Sequence, residues 1–255
     1  RHAGHSRPMR LPEASSVRVL LLDAGGVIVK PSFARVREAL ASSGVAVSAE
    51  RLAAAEPRAK QELDRDPAAG AGTDAQRGWQ YFNRVLAHAG IPRSLATDGA
   101  LDELRRGHSR SNLWEDVPDG VRTSLARFRA RGLRMAVVSN ANGTVEALLG
   151  RLELSPFFDA VLDSAVEGVE KPDPRLFRFA LERLGALPGE AVHVGDFYSV
   201  DVVGARAAGI RPILLDEADL YPDADCPRVR SLADLAGHLD PAAPADISAK
   251  LPPAR

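Results

Sequence analysis

Four polar groupings recur along the chain: Asp23-Ala24-Gly25-Gly26, Ser139-Asn140, Lys171-Pro172-Asp173, and Gly195-Asp196 with Asp201 shortly after. Between them they hold two or three carboxylates, a hydroxyl and an ammonium. Carboxylates brought together repel and need a cation between them, and an all-oxygen donor set suits Mg²⁺. A hydroxyl, backbone amides and a lysine facing that cation would seat a phosphoryl group. Taken singly, each grouping has an ordinary explanation. Asp23 before Ala-Gly-Gly is turn chemistry, as is Ser139-Asn140; Lys171 is a surface residue; Gly195-Asp196 starts a helix. Gathered at one rim, they point to chemistry.

Such a rim needs strands that end together. The run over residues 17–22 is β-branched or leucine at nearly every position and stops at Asp23. It predicts a strand buried on both faces, as in a parallel sheet, with Asp23 at its carboxyl end. In open α/β sheets the carboxyl ends of the strands form the crevice where ligands bind. From Pro118 onward helix and strand alternate. Residues 133–140, 160–163, 191–196 and 212–216 read as further strands, and 121–131, 144–152, 174–184, 200–208 and 232–239 as helices. Strands joined by single helices imply right-handed crossovers and a parallel sheet covered on both sides. His193 lies inside its strand and reads as structural.

Residues 32–113 carry no strand pattern, and their apolar positions recur at helical spacing. Phe33, Val36 and Leu40 mark one helix, closed by Gly44. Ser48 is a candidate N-cap for a second that runs through Leu52 towards Leu63, with Pro57 as an interruption or boundary. Residues 66–72 are a loop by composition. Thr73 or Asp74 then caps a helix carrying Trp79, Tyr81, Phe82, Val85 and Leu86, and a last helix covers 101–106. The aromatics read as this insert's own core, Lys60 as a solvated helix residue, and Arg105, Arg106 and Arg110 as a solvated face.

The composition, 45% hydrophobic and 26% charged over 255 residues, is that of a globular chain long enough for one sizeable core plus a satellite. Its 33 basic and 34 acidic residues nearly cancel, which leaves no global field to hold nucleic acid or an anionic membrane. Cys226 is the single cysteine, so there is no internal disulfide and no Cys-based metal site, as expected of a cytoplasmic protein. The leucine run is too short to span a membrane and is stopped by Asp23. Residues 1–16 read as a flexible polar extension, with Met9 a candidate start, and 241–255 as a flexible tail. Nothing in the pattern speaks to oligomeric state.

In this order, Asp23-Ala24-Gly25-Gly26-Val27, Ser139-Asn140, Lys171-Pro172-Asp173-Pro174 and the stretch from Gly195-Asp196 to Asp201 resemble the four motifs of the haloacid dehalogenase-like hydrolase superfamily. The likeness runs from residue 17 to about 216. The helical insert after the first motif resembles the cap of its first subclass. Only four of the 33 basic residues are lysine, so Lys171 within its motif is not compositional drift. The resemblance implies an α/β fold: a Rossmann-like three-layer core with a central parallel sheet (17–31 and 114–240), plus an inserted all-helical cap domain (32–113) serving as a mobile lid. It implies Asp23 as the nucleophile that forms an aspartyl-phosphate, later hydrolysed by water. Mg²⁺ would be held by Asp23, the Gly25 carbonyl and Asp196, with Asp201 at the metal's waters. Gly26, Ser139, Asn140 and Lys171 would seat the phosphoryl group of a small phosphorylated substrate.

One position departs from the family pattern. Two residues past the nucleophile its phosphatases carry a second aspartate, which protonates the leaving oxygen and then activates water; here stands Gly25. Positioned general acid/base catalysis is worth on the order of 10²–10⁴ in rate. The pattern therefore supports aspartyl-phosphate formation better than fast turnover. A 2-haloacid dehalogenase also lacks the second aspartate, but does not need the carboxylates at Asp196 and Asp201. A phosphonate hydrolase would want a Schiff-base lysine in the cap, where Lys60 stands alone. A weakly active binding or regulatory protein on the same fold is the remaining alternative.

Overall fold

The computed structural model describes residues 9–67, 74–108 and 112–240. In chain order the elements are β1 (Val19–Leu22), β2 (Lys30–Pro31), α1 (Phe33–Ser42), α2 (Ala49–Arg65), α3 (Asp74–His88), α4 (Leu95–His108), β3 (Trp114–Asp116), α5 (Val121–Ala130), β4 (Arg134–Ser139), α6 (Val145–Arg151), β5 (Ala160–Asp163), α7 (Ser164–Glu167), α8 (Pro174–Leu184), β6 (Ala191–Gly195), α9 (Val203–Ala207), β7 (Arg211–Leu215), β8 (Arg228–Val229) and α10 (Leu232–Leu239). Six strands form one parallel sheet in the order β5-β4-β1-β6-β7-β8.

All four β1 side chains are fully buried, because they alternate between two covered faces. Leu20 and Leu22 meet Leu125 and Phe128 of α5, Leu148 of α6 and Leu235 of α10. Val19 and Leu21 meet Leu176, Phe177 and Leu181 of α8 and Ala205 of α9. Burying a leucine or phenylalanine contributes about 1.5–3 kcal/mol, so each apolar position of the run supports a helix layer. The register sets Leu22 opposite Val137 of β4 and Val194 of β6. Asp23, Ser139 and Asp196 consequently leave three adjacent strands at nearly one level.

Helices α1 to α4 lie between β2 and β3 and bury an apolar cluster of their own, which includes Val36, Leu40, Leu52, Phe82, Val85 and Leu101. Where the chain passes between sheet and helices, β2 and β3 pair antiparallel with Pro31 opposite Trp114. This ribbon and β8 are absent from the sequence reading, since two or three residues show no periodicity. The Ser48 cap is present: its side chain accepts from the Arg51 N–H at 3.2 Å.

Three expectations are corrected. The second insert helix does not break at Pro57; α2 runs through it. The proline forfeits one backbone bond, while Leu52, Ala55, Ala59 and Leu63 stay buried on both sides of it. The last insert helix starts at Leu95 and not near Leu101. Residues 11–16 are not a loose extension: Leu11 and Ala14 pack on the core, and His238 bonds the Pro12 carbonyl at 2.9 Å. Residues 1–8 and 241–255 of the terminal expectations, most of the 66–72 loop, the Thr73 cap and Arg110 lie outside the described residues. Arg105 and Arg106 are exposed, as a solvated face requires. Among the described residues no helix is long and apolar enough to cross a membrane.

Candidate active site

The carboxyl ends of β1, β4 and β6 carry the expected residues into one place. Asp23 Oδ1 accepts from the Ala24 N–H at 2.7 Å and lies 3.0 Å from Lys171 Nζ. The same ammonium sits 2.7 Å from Asp201 Oδ1 and is 1% exposed. Lys171 is aimed by Asn140. The Asn140 amide accepts from the Lys171 N–H at 2.7 Å and donates to the Lys171 carbonyl at 2.9 Å. The Asn140 side chain is thereby engaged by the lysine backbone, which leaves its backbone N–H for the expected place at the phosphoryl group. Ser139 is buried at the end of β4, its hydroxyl only 3.5 Å from a carbonyl partner and facing the same cavity.

Asp201 has both oxygens engaged. Oδ1 also meets His193 Nε2 at 3.0 Å, and Oδ2 accepts the Phe197 N–H at 3.0 Å. Two partners thus occupy Oδ1, while Oδ2, with the Phe197 N–H alone, keeps a lone pair that can face a cation or its waters. His193 is fully buried against Phe177, ring centroids 4.9 Å apart. Burial keeps its imidazole neutral, which suits the structural role of holding Asp201.

Asp196 is the reverse case. Its Oδ1 is buried without a hydrogen-bond partner, and its Oδ2 lies 3.1 Å from Lys60 Nζ. Asp23, Asp196 and Asp201 each offer an oxygen within 4.8 Å of the others. Two glycines make that convergence possible. A Cβ on Gly26, at φ +76°, would sit 1.8 Å from Asp196 Oδ2, and one on Gly195 would sit 2.1 Å from Asp201 Cγ. The Gly26 N–H donates to the Val29 carbonyl at 2.8 Å. Gly26, expected to bind phosphate, therefore serves by its missing side chain. An orphaned carboxylate oxygen inside a cluster of hard oxygen donors fits a divalent cation.

Burial pushes the Asp23 carboxyl up to about 8, partly offset by Lys171 and reinforced by Asp201 and Asp196. Asp196 is raised as well, through burial that Lys60 offsets in part. For Asp201 burial opposes the charge, but Lys171 and His193 outweigh it and hold the carboxyl well below the usual range. The two ammonium groups work against burial too: their carboxylate neighbours raise both.

Lys60 overturns the sequence reading. It is 5% exposed, not solvated, and α2 delivers it to Asp196. Four residues on, Asp64 accepts the N–H groups of Tyr198 and Ser199, each at 2.8 Å, in the loop after β6. Four residues back, buried Glu56 accepts from Tyr81 at 3.2 Å. The signal was present: Glu56, Lys60 and Asp64 recur every fourth residue, one stripe of a helix. A cavity of about 440 Å³ opens above Asp23, walled by Lys60, Trp79, Tyr81, His108 and Trp114 of the insert and its flank.

A family model for haloacid dehalogenase-like hydrolases matches residues 17–209. Haloacid dehalogenase-like hydrolase domain-containing protein 3 of Mus musculus is 37% identical over 170 residues, 64% of this chain and 67% of that protein. Its human counterpart is 40% identical over 127 residues, 50% of each chain, so the match spans half to two thirds of these relatives' length. Ribulose-1,5-bisphosphate 5-phosphatase of Halopiger xanaduensis is 33% identical over 184 residues, 69% of this chain and 73% of that protein. Among solved structures, magnesium-bound YfnB of Bacillus subtilis superposes with a TM-score of 0.64 over 88% of this chain and 99% of that one, at 20% identity, a likeness of fold. With its parallel sheet, its ordered strand-end groups and a match across most of its length, the chain belongs to the haloacid dehalogenase-like hydrolase family.

Proposed function

We propose that the protein is a Mg²⁺-dependent phosphoric monoester hydrolase that acts on a small phosphorylated metabolite through an aspartyl-phosphate at Asp23. The setting of Asp23 carries the reading. Its side chain is 13% exposed at the cavity floor, against 3% for Asp196 and 1% for Asp201. Phosphatase relatives from Halopiger xanaduensis and Thermus thermophilus, the second a phosphoserine phosphatase 46% identical over 153 residues, support phosphate esters as the substrate class.

Asp23, Asp196 and the Gly25 carbonyl would hold Mg²⁺ beside Asp201, where the cation would offset the charge of a carboxylate and a phosphoryl group brought together. Asp23 attacks phosphorus, and its new O–P bond replaces the bond to the leaving oxygen. Lys171 neutralises Asp23 before attack and the transferred group during it. The Ser139 hydroxyl donates to a phosphoryl oxygen. Water then cleaves the aspartyl-phosphate and restores the carboxylate. The helices of the insert act as the cap that closes the cavity and selects the substrate.

Phosphate release from a panel of phosphorylated metabolites, with and without Mg²⁺, tests the reading. Release should require both the metal and Asp23, and vanish in Asp23→Asn; release that survives Asp23→Asn refutes it. The position of Lys60 favours a second reading, phosphonate cleavage through an imine on that lysine. The pairing with Asp196 that keeps Lys60 protonated counts against it, and failure of borohydride to trap an aldehyde substrate on the protein would dismiss it.

A further inference from the structure

We propose that the cavity takes the phosphate monoester of an acidic aromatic hydroxyl, with Trp79, Tyr81, His108 and Trp114 seating the ring. This rests on the phosphatase reading and narrows its substrate class. The first observation is what replaces the missing acid. A Cβ on Gly25 would lie 3.3 Å from Trp114 Cδ1 and 3.4 Å from its Nε1. The place where an acid/base side chain would begin is thus crowded by the edge of an indole, which would have to give by a few tenths of an ångström to admit one.

Among the described residues, Tyr81, Lys60, Lys171 and His108 at the cavity are each engaged. The Tyr81 hydroxyl donates to Glu56, whose second oxygen lies 4.0 Å from Lys30. Lys60 is engaged by Asp196, and Lys171 by Asp23 and Asp201. His108 Nδ1 accepts the Leu113 N–H at 3.2 Å, and burial together with Arg35 keeps its ring neutral. A neutral imidazole N–H donates a hydrogen bond but gives up no proton. With Gly25 bare and these groups engaged, the site favours a leaving group that departs as a stable anion, which a phenol-type oxygen does and an alkyl alcohol does not.

The second observation is the wall itself. His108 and Trp114 meet with centroids 5.7 Å apart at 70°, Trp79 and His108 at 6.3 Å and 85°, and Tyr81 and Trp114 at 6.1 Å and 37°. Rings so braced present fixed faces and edges to a further ring, a contact that aromatic groups favour. Asn112 pins this wall by accepting the Trp114 N–H of the backbone at 2.9 Å. The volume of about 440 Å³ admits one ring and its phosphate. In the reaction Asp23 Oδ bonds to phosphorus and the phosphorus–oxygen bond to the ring breaks. That electron pair stays on the phenolic oxygen, which leaves unprotonated and accepts a hydrogen bond from the Trp114 indole N–H. In the second half, the proton of the attacking water leaves with the released phosphate.

The test is kcat/KM for a series of substituted phenyl phosphates and for glycerol 1-phosphate, with Mg²⁺ present. This ratio reports the first chemical step whatever limits the second. Aryl esters should exceed the alkyl ester by a factor on the order of 10²–10⁴, rising as the phenol becomes more acidic. Trp114→Leu should raise KM for phenyl phosphate about tenfold, and by much less for glycerol 1-phosphate. The chain's two tryptophans both line the cavity, so phenyl phosphate should quench the fluorescence of Asp23→Asn protein while glycerol 1-phosphate does not. Equal turnover of aryl and alkyl esters, dependent on Asp23 and Mg²⁺, overturns the substrate class and leaves the phosphatase reading standing. An unchanged KM in Trp114→Leu overturns the aromatic seat. No release from any ester overturns both readings.

Discussion

Replacing Lys60 with methionine keeps the stem packed in α2 and removes only the ammonium on Asp196. The pair it breaks is 3.1 Å long, with side chains 6% and 3% exposed, so little solvent is there to replace the lost partner. Removing one member of a buried pair costs about 3–5 kcal/mol, since the other charge stays behind. For a domain of this size 1 kcal/mol moves Tm by about 2–4 °C, so metal-free Lys60→Met should melt roughly 6–20 °C below the parent. Uptake of a proton by Asp196, whose carboxyl is already raised, will hold the loss to the lower part of that range under acidic conditions. Saturating Mg²⁺ supplies the missing positive charge and should narrow the gap, and calorimetric titration should show tighter metal binding to the variant, because the metal no longer has to displace an ammonium. Differential scanning calorimetry of both proteins, in chelator and in Mg²⁺, reads every arm. A gap that is equally wide in both buffers, or absent in chelator, would refute the idea that Lys60 stands in for the cation.

Three further outcomes follow from the same geometry. In the folded metal-free protein Asp23 keeps its proton up to about pH 8, whereas the unfolded chain releases it near 3.8; metal-free stability should fall as pH rises between these values, and Mg²⁺ binding near neutrality should release protons, which titration calorimetry in buffers of different ionisation heat will count. Gly26→Ala should abolish Mg²⁺ binding, as its Cβ would lie 1.8 Å from Asp196 Oδ2, while Gly143→Ala, at φ +87° with open space around it, should cost only about 1 kcal/mol in urea unfolding and bind metal normally. Gly25→Asp should speed hydrolysis of alkyl phosphates little on its own, and markedly when Trp114→Ala clears the indole; a gain in the single variant equal to that in the double would show that Trp114 is no obstacle.

The sheet was legible because β1, β4 and β6 are apolar runs cut off by polar residues, and burial on both faces leaves no other way to write such strands. The site residues at their ends followed from that placement. What each residue does was less legible. Asn140 and Gly26 occupy expected positions, yet one binds the lysine backbone and the other clears space, distinctions that depend on where an amide points and on a φ angle. Lys60 was misread because charge on a helix usually signals solvent, and only the packed insert shows that the charge meets Asp196. The ribbon of β2 and β3, the strand β8 and the wide π-helical turn Tyr198–Val202 are set by tertiary contact, and segments so short carry no pattern of their own.

The stripe on α2 has a consequence for how this molecule could be re-engineered. Lys60 reaches the carboxylate at the end of β6, and Asp64 grips the following loop through Tyr198 and Ser199. The helix that walls the cavity is thus wired to the loop leading to Asp201. Exchanging the insert for a relative's, the obvious route to a new specificity, would swap residues 60 and 64 as well and detune the ion site along with the binding wall. The smallest transplantable module is therefore the insert together with residues 196–201, and chimeras cut at that boundary should retain metal affinity where simple lid swaps lose it.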